Sequence, residues 1–259
     1  MSISMKHQQL IDAELELESS GPIAPAPSHR APPPPPPHMI DEPLNSPTID
    51  YPDVNMEQGD DAEKTAIMQD TVMKYVTETV INAKQTLVKP GSIIYLLFGD
   101  IPSKQSIQIK MGKVGEFIVK TIVNMSPHLE LLQCGVQDIG GKRKDVDLIW
   151  CDKLNKTIYY REAKGNAELD TEKLPATIKK VQEIRDNLVP KYPGYKFDAG
   201  LFNWSVYNRE IITSSLSHIK KCEDKGLIVD HMGDMMKILD FKWSEKEFYE
   251  FFTKIGEQL

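Results

Sequence analysis

The sequence predicts an α/β (α+β) domain, a mixed central sheet flanked by helices, preceded by a long arm without a core. Two observations predict the domain: helix-period apolar stripes alternate with short strand-like runs from Glu63 onward, and the strand-like segments 144–152 and 157–164, separated by Lys153–Lys156, read as a hairpin. The third predicts the arm, because 12 of the 18 prolines fall in residues 1–62, among them the run Pro32–Pro37. We therefore expect a disordered acidic arm over 1–62, a spacer or a ligand for a proline-recognising partner, and one folded domain over 63–259. At 259 residues and 40% hydrophobic content the chain can bury a sizeable core.

Charge is unevenly divided. Two of the 31 basic and eleven of the 38 acidic side chains lie in residues 1–62, so residues 63–259 carry a formal +2 although the whole chain carries −7. That balance permits a polyanionic partner without proposing one. The longest apolar run, Ile93–Phe98, is far short of the roughly 20 residues of a spanning helix, which predicts no membrane partner. No secretory leader pattern opens the chain, so a cytoplasmic protein is expected, in host cytoplasm or nucleus if viral, and not a secreted one. Cys134, Cys151 and Cys222 are far apart without a Cys-x-x-Cys pair, and predict reduced, buried thiols.

Along the domain, Met68, Val72, Tyr75, Val76 and Val80 recur at helical spacing until Lys89-Pro90-Gly91. Residues 92–98 fit either a buried strand or a short helix. Lys110–Met125 carries the stripe Val114, Phe117, Ile118, Ile122, Met125 and predicts one helix. Strands are expected at 129–135, 144–152 and 157–164. A helix from about Thr171 or Pro175 buries Ile178, Val181, Ile184 and Leu188 and ends at Pro190. A strand over 197–207, a helix near 209–225 closed by Gly226, a short strand 227–230 and a helix opened by the Ser244-x-x-Glu247 capping box complete the domain.

The chemistry is expected in the hairpin. On an unbroken strand Asp145 and Asp147 share one face, and on its partner Glu162 and Lys164 do the same. Folding about 153–156 brings these ends together, with cross-strand Cβ atoms about 5 Å apart. Carboxylates so placed suit a hard dication such as magnesium, which would neutralise a phosphodiester and acidify a water. A lysine two residues from the glutamate would orient the attacking water or take its proton.

Asp147, followed after 14 residues by Glu162-Ala163-Lys164, resembles the PD-(D/E)xK nuclease superfamily. The blocks Lys144–Trp150, Ile158–Asn166 and Leu169-Asp170-Thr171-Glu172-Lys173 further resemble the centre of certain type II restriction endonucleases. The resemblance covers about 105–207 and implies a restriction-endonuclease-like core. It implies that Asp147, Glu162 and the carbonyl of Ala163 bind Mg2+, with Mn2+ able to substitute, and that Lys164 serves the water. Glu116, on the preceding helix, would hold a second metal or a water of the first. No proline precedes the acidic residue, and Asp145 competes with Asp147 for the motif position; Asp147 is favoured. The implied activity is site-specific hydrolysis of double-stranded DNA by a homodimer, with a cognate DNA methyltransferase as a possible partner in the same system.

Plainer alternatives stand beside each residue. Asp147, Glu162 and Lys164 could form exposed cross-strand pairs, and Glu116 could pair only with Lys113 and Lys120 at i−3 and i+4. Lys142, Arg143 and Lys144 could grip DNA phosphates or form a hydrated loop. Trp204, Tyr207 and Asn208 could read bases or pack inward. At the level of function, the rivals are a nuclease of repair, recombination or viral genome processing, and a non-catalytic DNA-binding or scaffold module of the same fold.

Overall fold

A computed structural model of the chain describes residues 59–83, 86–165, 173–212 and 216–259. The arm expected over 1–62 lies outside the described residues as far as position 58, and so do Leu169–Glu172 of the block quoted above.

The first helix, α1 (Asp61–Val76), begins where Asp60 accepts the Glu63 amide at 2.8 Å, with Asp61 and Glu63 adding negative charge to the first turn. Its stripe Met68, Val72 and Val76 is buried, and a π-helical turn, Thr77–Ile81, carries Val80 into the same core. Residues 92–98 resolve as a short helix, α2 (Ile93–Phe98), capped by the Ser92 hydroxyl on the Tyr95 amide, and no residue of it is buried. The single helix expected over 110–125 is two, α3 (Lys104–Met111) and α4 (Val114–Met125), separated at Gly112–Lys113. The predicted stripe on α4 is buried throughout.

Seven strands follow the helices: β1 (Leu129–Leu131), β2 (Gly135–Ile139), β3 (Lys142–Val146), β4 (Leu148–Asp152), β5 (Thr157–Lys164), β6 (Lys196–Asn203) and β7 (Ile228–His231). The central sheet has the order β1-β4-β5-β6-β7. It is antiparallel from β1 to β5 and parallel from β5 to β7. The parallel half needs crossovers, and α5 (Lys173–Leu188) and α6 (Leu216–Glu223) lie in those connections. The β4–β5 turn closes because Asp152 accepts the amides of Leu154 and Asn155, each at 2.9 Å. A helix not foreseen, α7 (Met232–Ile238), precedes α8 (Glu245–Gly256), whose Ser244–Glu247 capping box forms as expected.

Both faces of the sheet are covered, giving a mixed α/β architecture. Leu148, Trp150, Ala163 and Phe202 pack with residues of α1, α4, α7 and α8. Ile149, Cys151, Ile158, Tyr160 and Leu201 pack with Val181 and Ile184 of α5 and Cys222 of α6. The three cysteines are free, two of them buried. Among the described residues no helix is long and apolar enough to cross a membrane.

One departure bears on the site. The strand expected over 144–152 breaks at Asp147, and β3 leaves the sheet to pair with β2, Val136 opposite Asp145 and Gln137 opposite Lys144. The cause is local. Gly140 and Gly141, at φ +61° and +77°, make the two-residue turn that supplies β3 with a closer partner. Alternation is interrupted as well, since Val146 packs in the core of Ile149 and Cys151 instead of that of Leu148 and Trp150.

Candidate active site

The β4–β5 ladder pairs Leu148 with Arg161, so Asp147, one step earlier, comes to the level of Glu162. Its Oδ2 accepts the Ala163 amide at 3.0 Å, which fixes the carboxylate across the end of the hairpin. Glu162 Oε1 lies 2.7 Å from Lys164 Nζ, while its Oε2 lies 2.5 Å from Lys180 Nζ and accepts the Tyr160 hydroxyl at 3.2 Å. The third acid comes from the opposite layer: Glu116, in the first turn of α4, meets Lys113 at 2.8 Å and Lys120 at 3.2 Å. Lys113 Nζ is also 4.0 Å from Asp147 Oδ1 and 3.8 Å from Asp145 Oδ2, so a single ammonium joins the acids of α4 to those of the β3–β4 break.

Close packing delivers α4 to this edge. A Cβ on Gly115 would stand 2.1 Å from Cγ of Trp204, so only glycine lets the helix lie against the residue that follows β6. Trp204 is thereby spent on packing. Tyr207 and Asn208 also turn inward, the Tyr207 hydroxyl donating to the Trp243 carbonyl and the Asn208 amide to Glu245 at 2.8 Å.

Burial sets the electrostatics. Glu116, Asp147 and Glu162 are each at most 7% exposed, and buried carboxylates persist only where cations or donors compensate them. Burial, reinforced by the charges of Glu162 and Glu116, pushes the Asp147 carboxyl up to about 7. Burial acts on Glu162 in the same sense, but the charges and hydrogen bonds of Lys164 and Lys180 outweigh it and hold that carboxyl below its ordinary value. Burial and the neighbouring Glu162 and Asp147 raise the Tyr160 phenol, keeping it a donor. One carboxylate in the group is thus compensated and its neighbour is not.

Asp147, Glu162, Lys164 and Glu116 therefore meet at one edge. Asp145 does not join them at the hairpin end, because β3 has left the sheet; its side chain is half exposed and lies 3.8 Å from Lys113. The helix pairs of Glu116 with Lys113 and Lys120 form, and on the same carboxylate that faces the site. Lys142 and Arg143 are exposed next to the β2–β3 turn, whereas Lys144 is tied to Glu183 of α5. Among the described residues no three His, Cys, Asp or Glu side chains form a ready cage for an ion. Lys180 and Tyr160 were not foreseen. A signal for Lys180 existed, because it precedes buried Val181 and stands one turn before buried Ile184, at the margin of the α5 stripe. Nor was the Arg161 cluster. Buried Arg161 reaches Asp230 on β7 at 2.6 Å and Asp198 on β6 at 2.8 Å, fastening three adjacent strands beneath Glu162.

Compared with known proteins, the chain matches no family model and no curated protein.

Proposed function

We propose that the protein is a magnesium-dependent endonuclease of double-stranded DNA with a restriction-endonuclease-like core, cutting at a short specific sequence as a homodimer. The observation that carries this reading is the meeting of Asp147 and Glu162 at the end of the β4–β5 hairpin, with Lys164 on Glu162 and Glu116 brought in from α4. A plain surface pair does not explain it, since all three acids are buried and the Asp147 carboxyl stays short of compensating charge.

The donor set fits magnesium, which usually takes one or two carboxylates and leaves its remaining positions to water and phosphate. Asp147, Glu162 and the Ala163 carbonyl would hold it, with Glu116 available to a second ion. Bound there, it would neutralise the scissile phosphate and lower the pKa of a water. The protein's own groups do the rest. Lys164, held on Glu162, orients the attacking water. Tyr160 and Lys180 fix the Glu162 carboxylate, and Lys113 keeps Glu116 and Asp147 within reach of one another. Lys142 and Arg143, exposed beside the ribbon turn, are placed to meet phosphates by charge alone.

Incubation of the protein with unmethylated plasmid and magnesium tests the reading. Discrete fragments are expected, lost in Glu162→Ala and in Lys164→Ala. A smear degraded from the ends would replace the site-specific enzyme by a repair-type nuclease, and plasmid left intact across metals and DNA forms would replace it by a binding module.

A further inference from the structure

Three carboxylates of this region share one ammonium. Lys113 Nζ stands 2.8 Å from Glu116 Oε1, 3.8 Å from Asp145 Oδ2 and 4.0 Å from Asp147 Oδ1. The acids come from separate elements: Glu116 from α4, Asp145 from β3 and Asp147 from the break before β4. An ordinary helix pair needs only Lys113 and Glu116 at i and i+3. It does not explain the reach to two further acids at the sheet.

The backbone sets this position. The break at Gly112–Lys113 leaves Lys113 as the residue before α4, about one turn ahead of Glu116. Gly115, close against Trp204, then fixes the first turn of α4 against the end of the sheet. The Lys113 side chain is 54% exposed, whereas those of Glu116 and Asp147 are 7% and 8% exposed. The lysine thus reaches in from solvent and brings its charged tip between two buried acids. The neighbouring gap is different. Lys164 and Lys180 both lie on Glu162, and among the described residues no ion pair bridges Asp147 to Glu162 as Lys113 bridges Asp147 to Glu116.

We infer that the Lys113 ammonium takes the place of a second metal ion, so that the site works with a single divalent ion between Asp147 and Glu162. The inference rests on the nuclease reading and narrows it: Glu116 holds Lys113 and does not ligate an ion of its own. A dication between Glu116 and Asp147 would need the same oxygens as the ammonium, and two cations in contact repel. In a two-ion site the second ion supplies positive charge beside the reacting phosphate. The ammonium supplies that charge together with N–H donors. It meets Glu116 at hydrogen-bond distance, whereas its 3.8 and 4.0 Å separations from the aspartates are too long for hydrogen bonds.

Counting Mn2+ on the full chain without DNA tests the inference, with bound ion read from the loss of the free-ion electron paramagnetic resonance signal. The wild type is expected to hold a single ion per chain, lost in Glu162→Gln. Lys113→Met removes the ammonium at a half-exposed side chain, so circular dichroism should still show a folded domain. It should gain a second ion, magnetically coupled to the first, and Lys113→Arg should not. Adding Glu116→Gln to Lys113→Met should remove that second ion. A wild type with two coupled ions, Lys113→Met with only one, or a second ion that survives Glu116→Gln would each overturn the inference and leave the magnesium reading standing. A wild type that binds no ion, or one indifferent to Glu162→Gln, would refute that reading as well.

Discussion

At the scale of single residues the Asp147 carboxyl is the informative group. Its pKa in the folded chain, about 7, stands above the roughly 3.9 of an unfolded aspartate, raised by burial and by Glu162 and Glu116. The folded state therefore binds the proton more tightly, and the stability this confers is full below about pH 4 and is lost as the pH rises through 7. Asp147→Asn removes that loss. In metal-free buffer its stability relative to wild type should grow by up to about 4 kcal/mol between pH 4 and pH 8, measured by urea unfolding at each pH. Asp147, Glu162 and Lys164 were legible because a hairpin signal and a two-residue Glu-x-Lys spacing fix which tips meet, whereas Glu116, on another element, was suggested only by the family resemblance. Lys180 was not legible, since a lysine beside a buried stripe looks the same in sequence whether it reaches water or a carboxylate across a helix–sheet gap.

At the scale of elements, two contacts decide whether the site is assembled. Gly115→Ala would place a methyl group inside the Trp204 ring and should cost about 1–3 kcal/mol by overpacking while pushing Glu116 away from the hairpin. Relief by a second change, Trp204→Ala, in a melting-temperature series would distinguish this clash from a loss of helix propensity. Arg161 ties β5 to β6 and β7 through partly buried Asp198 and buried Asp230, and Arg161→Ala takes this partner from both. A loss of about 3–5 kcal/mol is expected in denaturant titrations. Most elements could be foreseen from periodicity, capping and turn residues: α1, the α4 stripe, the β4–β5 hairpin and α8. The β2–β3 ribbon could not, because the alternation of Asp145, Asp147, Ile149 and Cys151 continues unbroken through a point where the chain changes partners. What breaks it is a competing hairpin nucleated by Gly140–Gly141, and pairing preference between two candidate strands is a tertiary quantity. For the same reason 92–98 stayed undecided between strand and helix, and only the Ser92 cap separates the two.

At the scale of the whole molecule, a sheet covered on both faces leaves its working groups at one end, where helices from the two layers converge. Glu116 comes from the layer of α1 and α4, and Lys180 from the layer of α5 and α6. Assembly of the site thus reports on the packing of both layers together, and a variant that loosens either one should lose the proposed DNA cleavage before it loses secondary structure. The negative charge that dominates the composition resides in the arm, so the formal charge of the domain alone does not oppose the approach of a polyanion.

The parting of β3 from the sheet has one further consequence. Asp147 is the pivot between the ribbon and the sheet, and its backbone torsions are common to both. The ribbon, stapled to α5 by Lys144 and Glu183, cannot swing at its Lys142–Arg143 tip without turning the same residue whose carboxylate leans on Ala163. On the proposed reading, a phosphate drawing on that finger would act through the backbone of the residue whose carboxylate would hold the ion, so the grip on DNA and the placing of that acid would be coupled.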